Sequence, residues 1–165
     1  MCLKYLAIAL LLFGVFAMTY SKAHYIHGAT KIIETFNVDS EGGSFTVENT
    51  NTPIDGLTIE VPTGSLRKQV IISVGYNEGQ LKVRSGKGSG VVLVLEVSNN
   101  VSSFEKPFKI TAHFDPSIKP KSIIGYVIDE KGSLRPLDTI SKLKEQGVVV
   151  FYTFRPLMFT WIYIQ

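Results

Sequence analysis

Three histidines carry most of the chemistry open to this sequence: His24 and His27 near its start, and His113 in the run from Phe108 to Phe114. Imidazole is the side chain best suited to proton transfer near neutral pH and a common metal ligand. If a leader ending at Ala23 is removed, His24 becomes the first residue. Its free amine and ring then form a chelate for Cu(II), and His27 adds a second imidazole to a nitrogen-rich set that copper favours. The plainer expectation places His24 and His27 in a mobile tail and His113 on the surface, with no metal, cofactor or catalytic residue. No histidine has a neighbour that suggests a charge relay or a His-Glu-x-x-His zinc site. The acidic residues are scattered through loops. Asp115, Asp129, Glu130 and Asp138 cluster at the ends of neighbouring strands, so folding can bring a pair within the about 5–10 Å used by glycosidases. Gly86 to Gly90 (GKGSG) lacks the Gly-Lys-Ser/Thr ending of a phosphate loop and leads into a strand rather than a helix, so it reads as a loop. Surface aromatics for an adhesive or sugar-binding role are sought among Tyr25, Tyr76, Tyr126, Tyr152, Trp161 and Tyr163; the same residues serve equally as sandwich packing.

The elements that position these groups are organised around Gly56 to Tyr76. Leu57, Ile59 and Val61 alternate with polar residues, as do Val70, Ile72 and Val74, which is the period of half-buried strands. Pro62 has no N–H for a ladder, Gly64 is free to take a positive φ, and Leu66 plugs the core beneath the corner. Strands are also expected from Ile32 to Val38, Ser44 to Val47, Leu81 to Arg84, Val91 to Val97, Phe108 to Phe114, Ile123 to Asp129, Leu134 to Leu137, Val148 to Phe154 and Met158 to Ile164. Hairpin turns are read at Asn77-Glu78-Gly79 and Glu130-Lys131-Gly132. Ile140 and Leu143, with Gly147 as a C-cap, suggest at most one short helix near 138–146. Many short strands between turn signals predict an all-β antiparallel β-sandwich of immunoglobulin-like architecture.

The 165-residue chain opens with Lys4, an apolar run from Tyr5 to Met18, and small residues at Ser21 and Ala23, the order of an export signal. The expected organisation is a signal peptide over 1–23, a flexible mature N-terminus over 24–31 and one sandwich domain over 32–165, with no membrane span after signal removal. An uncleaved anchor is the alternative. The one cysteine, Cys2, leaves with the leader, so the mature chain has no disulfide, thiolate ligand or cysteine nucleophile. Loss of Lys4 and Lys22 takes the 17 Lys and Arg to 15 against 14 Asp and Glu. A chain so close to neutral gives no reason to expect nucleic acid as a partner. Asn100-Val101-Ser102 is a glycosylation sequon in a eukaryotic host.

Gly56 to Leu66, with the pattern G-x-T-I-x-V-P-x-G-S-L, resembles the signature corner of the β-sandwich domain of ankyrins, zonula occludens proteins and netrin receptors, a type also found in bacterial secreted and surface proteins. Phe104 to Phe114 (F-x-K-P-F-x-I-x-x-x-F) and the hairpin YVIDEKGSLRPL, followed by a strand holding Phe159 and Thr160, extend the resemblance across most of Gly43 to Ile164. It implies a sandwich, and its motifs are mainly structural; a non-catalytic role is expected instead by elimination, from the export signal, the sandwich fold and the absence of a catalytic constellation. Some members cut themselves at a His-Phe-Ser triplet, where the hydroxyl attacks the preceding carbonyl and the histidine takes its proton. Met158, Phe159 and Thr160 occupy those positions here, and methionine takes no proton, so self-processing at Phe159–Thr160 is disfavoured. The resulting expectation is an exported module, secreted, periplasmic or on the cell surface, that binds a protein or cell-envelope component.

Overall fold

The computed structural model describes residues 23–48, 50–83, 87–114, 117, 122–137, 140–143 and 147–164. The chain enters through β1 (His24–Ile26), β2 (Thr30–Val38) and β3 (Gly43–Thr46). The organising stretch supplies β4 (Thr58–Val61) and β5 (Val70–Asn77), followed by β6 (Gln80–Lys82) and β7 (Lys87–Gly88). Then come β8 (Leu93–Val97), β9 (Phe108–His113), β10 (Ser122–Ile128) and β11 (Leu134–Pro136). The chain closes with β12 (Ile140–Leu143), β13 (Val148–Thr153) and β14 (Leu157–Ile164). The larger sheet has the order β11-β10-β14-β8-β5-β2, with β7 also on β14, and the smaller has β12-β13-β9-β4-β3. The protein is an all-β antiparallel β-sandwich. Among the described residues no helix is long and apolar enough to cross a membrane.

Alternation decides which side chains fill the sandwich. Val70, Ile72 and Val74 of β5 and Phe159, Trp161 and Tyr163 of β14 point inward from the larger sheet, and all are buried. Ile59 and Val61 of β4 and Phe108, Ile110 and Ala112 of β9 meet them from the smaller sheet. Each aliphatic or phenyl group so enclosed contributes about 1.5–3 kcal/mol relative to leaving it in water. Phe151 of β13 meets Phe159 edge-on at a centroid distance of 4.6 Å. The polar tip of Trp161 is satisfied within the core, since its Nε1 donates to Tyr163 Oη at 2.8 Å. These two aromatics are therefore packing residues rather than a surface for sugars. β8 lies between β14 and β5, and its successive residues Leu93, Val94 and Leu95 are all buried, as its unbroken apolar run requires.

The corner after β4 has the expected chemistry. Gly64 takes φ +75°, Ser65 N–H donates to Pro62 O at 3.0 Å, and Leu66 is buried beneath. Lys106 Nζ donates to Thr63 O at 2.6 Å and ties the corner to the segment before β9.

Three expectations are corrected. The segment 24–31 is not a loose tail: β1 pairs with β6 across Tyr25↔Leu81, and Tyr25 is buried. This two-stranded ribbon covers the outer face of the larger sheet, where Tyr25 and Leu81 pack with Val92, Ile128, Leu134 and Met158. Asn77-Glu78-Gly79 does not fold β6 back onto β5, because β6 pairs with β1 instead. The reason is Asn77, whose side chain faces the incoming N-terminal segment. Its Oδ1 accepts from Tyr25 Oη at 2.5 Å, Gly28 N at 2.8 Å and Gly79 N at 2.9 Å, while Nδ2 donates to Gly28 O and Thr30 Oγ1. Finally, within 138–146, Ile140–Leu143 is a strand rather than helix, in register with Val148–Phe151 of β13.

Because neighbouring strands are antiparallel, the segments 39–42, 62–69, 98–107, 129–133 and 154–156 all emerge at one end of the sandwich. Backbone bonds stitch several of them together: Gly64 N to Ser40 O at 2.7 Å, Glu105 N to Ser65 O at 3.0 Å and Phe104 N to Phe154 O at 2.7 Å.

Candidate functional site

A cleft of about 920 Å³ opens at that end, between the β10–β11 hairpin and the turn from β13 to β14. Val127, Leu157 and Met158 line its apolar part, and Lys131, Arg135 and Arg155 bring cations to it. The hairpin is built on Asp129. Its Oδ1 accepts from Lys131 N at 2.9 Å and Ser133 N at 2.8 Å, and its carbonyl accepts from Gly132 N at 2.9 Å. The backbone N–H of Ser133, and then that of Lys131, hold the Asp129 carboxyl below its ordinary value of 3.8. Gly132 turns the chain with φ +77°, and a Cβ there would lie 2.0 Å from Tyr25 O. That approach lets Tyr25 N–H donate to Gly132 O at 2.9 Å, which fastens β1 to the hairpin. On the other wall, Thr153 Oγ1 accepts from Arg155 N and donates to Arg155 O, fixing the turn from which Arg155 projects. Among the described residues neither arginine nor Lys131 is in an ion pair within 4 Å. Glu130 is also exposed at the rim, so the cationic excess is modest. Phe154, beside Arg155, is 55 % exposed, the most exposed of the large apolar side chains described.

The candidates read from the sequence are dispersed. His27 reaches this cleft, with Nε2 3.2 Å from Asp129 O and its ring edge-on to Tyr25. His24 is exposed on β1, bridged to Ser133, and the larger sheet lies beneath it. His113 is on the outer face of the smaller sheet, beside Gly56. Among the described residues no group of three or more His, Cys, Asp or Glu side chains is gathered to hold a metal ion. Thr160 is fully buried in mid-strand; its Oγ1 donates to Val91 O at 2.6 Å and lies 3.0 Å from Ser89 Oγ. Neither of these partners accepts its proton as a base would, and Met158 beside it offers none.

Of the four carboxylates, Asp115 and Asp138 lie outside the described residues. Asp129 is spent on its turn and is held ionised, the opposite of what a general acid needs. Tyr25, Trp161 and Tyr163 are buried, while Tyr76, Tyr126 and Tyr152 are half-buried. Asn100 is exposed in a turn with φ +53°. Within Gly86 to Gly90, Lys87–Gly88 forms the short strand β7 on β14, and Gly86 lies outside the described residues.

The cations of the cleft are absent from the candidates read from sequence, yet a signal exists for them. Gly-Ser-Leu-Arg occurs twice, at 64–67 and 132–135, and Arg-Pro-Leu occurs twice, at 135–137 and 155–157. Both arginines of the second pattern line the cleft. No protein-family model matches this chain, and no curated protein matches it either.

Proposed function

We propose that this chain is an exported, non-catalytic β-sandwich module of the ankyrin, zonula occludens and netrin-receptor type. Its role is to bind a protein or cell-envelope component that carries acidic groups. The observation that carries this reading is the pair Arg135 and Arg155, two guanidinium groups without an ion pair within 4 Å among the described residues, both lining one cleft. Guanidinium forks bind carboxylates in bidentate fashion, and arginine is among the residues enriched at the centres of binding surfaces. The family assignment is supported by the corner itself, where Pro62, Gly64 and Leu66 perform the turn, the positive φ and the core plug that the shared pattern implies. Export is supported by the leader's residue order.

The test is capture from a native envelope extract by the wild-type protein and by the Arg135→Glu/Arg155→Glu variant, with equal circular dichroism as the control. The same partner retained by the wild type and lost by the variant supports the reading. Equal retention by both, or retention by neither, refutes it. Mass spectrometry of the native protein is expected to find His24 at its N-terminus, and intact Met1 in a membrane fraction would show an anchored domain instead.

A further inference from the structure

The cleft between the β10–β11 hairpin and the turn from β13 to β14 is lined by aliphatic as well as cationic side chains. We infer that its occupant is an extended peptide segment of the partner in which acidic and aliphatic side chains lie next to each other. This deepens the binding-module reading and rests on it.

Val127 carries the inference. Alternation along β10 places it with Ile123 and Gly125 on the core-facing side of the larger sheet. Ile123 is buried in the main core, whereas Val127 is half-buried and, among the described residues, joins neither hydrophobic cluster. It is a core-type side chain that lines the cleft instead. Arg135 opposes it directly across β10 and β11, so the two side chains leave the same face with Cβ atoms about 5 Å apart. The turn before β14 repeats the combination: Arg155 is exposed, Leu157 two residues on is half-buried, and both line the cleft.

Each simpler occupant leaves part of this lining unmatched. A small inorganic anion satisfies the guanidinium forks and leaves the aliphatic wall in water. A hydrocarbon covers the wall but takes water from charged groups without giving them a counter-charge, which is costly. The flat face of a folded protein does not fill a concavity of about 920 Å³, whereas a projecting segment does. His27, Asp129 and Lys131 also line the cleft, so polar groups stand among the apolar ones. That mixture suits the amides of a peptide backbone better than an acyl chain.

The test is fluorescence anisotropy with the full chain and three labelled, capped hexapeptides: one alternating glutamate and leucine, one with serine in place of leucine, and one with glutamine in place of glutamate. The first should bind saturably, and each replacement should weaken binding about tenfold or more. Val127→Thr keeps the shape of the side chain and should weaken the alternating peptide while leaving the serine peptide unchanged. Arg135→Gln should weaken both glutamate peptides, with equal circular dichroism as the control. If neither glutamate peptide binds, the acidic-partner reading falls and this inference with it. If the serine peptide binds as tightly as the alternating one, or Val127→Thr weakens both alike, the acidic-partner reading stands and the aliphatic subsite does not. A glutamine peptide that binds as tightly as the alternating one overturns the charge pairing. Displacement of the alternating peptide by an equal concentration of decanoate assigns the cleft to an acyl chain and also overturns the inference.

Discussion

Asn77→Ala is expected to be among the more damaging single polar substitutions in this protein, although Asn77 lies in what reads as a simple hairpin turn. Its side chain makes five hydrogen bonds, to Tyr25, Gly28, Gly79 and Thr30. The partners differ in what their loss costs. Gly28 and Thr30 are exposed, so water replaces their bonds at small net cost. The Tyr25 hydroxyl is enclosed with its ring, and burial already pushes the phenol above its ordinary value of 10.0. The substitution leaves that hydroxyl only the carbonyl of residue 77, at 3.4 Å, which costs about 1–3 kcal/mol, and the remaining bonds bring the total to about 2–4 kcal/mol. Urea unfolding followed by tryptophan fluorescence measures this, because Trp161 is the chain's single tryptophan and sits in the core. A double-mutant cycle isolates the mechanism. With Tyr25→Phe in place no hydroxyl is left with that long bond alone, so Asn77→Ala should then cost about 1 kcal/mol or more less than in the wild type. A loss below about 0.5 kcal/mol in Asn77→Ala, or additivity in the cycle, would show that Asn77 does not hold the N-terminal ribbon in place.

Two glycines should fail for different reasons. Gly64→Val is expected to cost about 1–3 kcal/mol through its positive φ alone, because a Cβ there meets only Lys106 Nζ at 3.6 Å. Gly132→Ala adds a collision with Tyr25 O to a similar φ, so it should cost more and also release β1, read as faster amide exchange at Tyr25. For Asp129, a depressed folded pKa means its stabilising contribution is present above the ordinary carboxylate range and is lost as pH falls through the lower folded value. Carbon-13 titration should therefore find Asp129 with a midpoint below 3.8, and Asp129→Asn should flatten the acid limb of the stability profile; an ordinary or raised midpoint refutes this.

Most strands were legible, the edge strands β2, β3 and β11 among them, and the signal was most direct inside the sheets. β4, β5, β8 and β9 sit inside their sheets, so alternation or a continuous apolar run records their burial directly. β1 is three residues long and amid polar neighbours; only Asn77, 52 residues away, makes sense of a buried Tyr25 there. Ile140 and Leu143 have the spacing of one helical face, but four residues are too few for period to outweigh an open strand edge, and pairing with β13 decides the matter. The site was less legible than the fold. The cations at the sandwich end are unremarkable turn or strand residues in sequence, and what gathers them is antiparallel pairing between distant strands.

The repeated Gly-Ser-Leu-Arg links the local and the global levels. At 64–67 and again at 132–135 the glycine takes a φ near +76° (+75° and +77°), and the chain reverses there. The leucine two residues on then packs inward, Leu66 into the main core and Leu134 into the smaller cluster around Tyr25. In β11 alternation then turns Arg135 to the face opposite Leu134, and at the corner after β4 Arg67 is exposed beside the buried Leu66. Arg67 and Arg135 arrive in this manner at separate clefts on the same end of the molecule. A turn chosen for folding thus also presents a guanidinium to solvent. Replacing either leucine by alanine should weaken the presentation of its arginine as well as the core, an effect absent when an inward leucine away from a cleft, such as Leu95, is replaced.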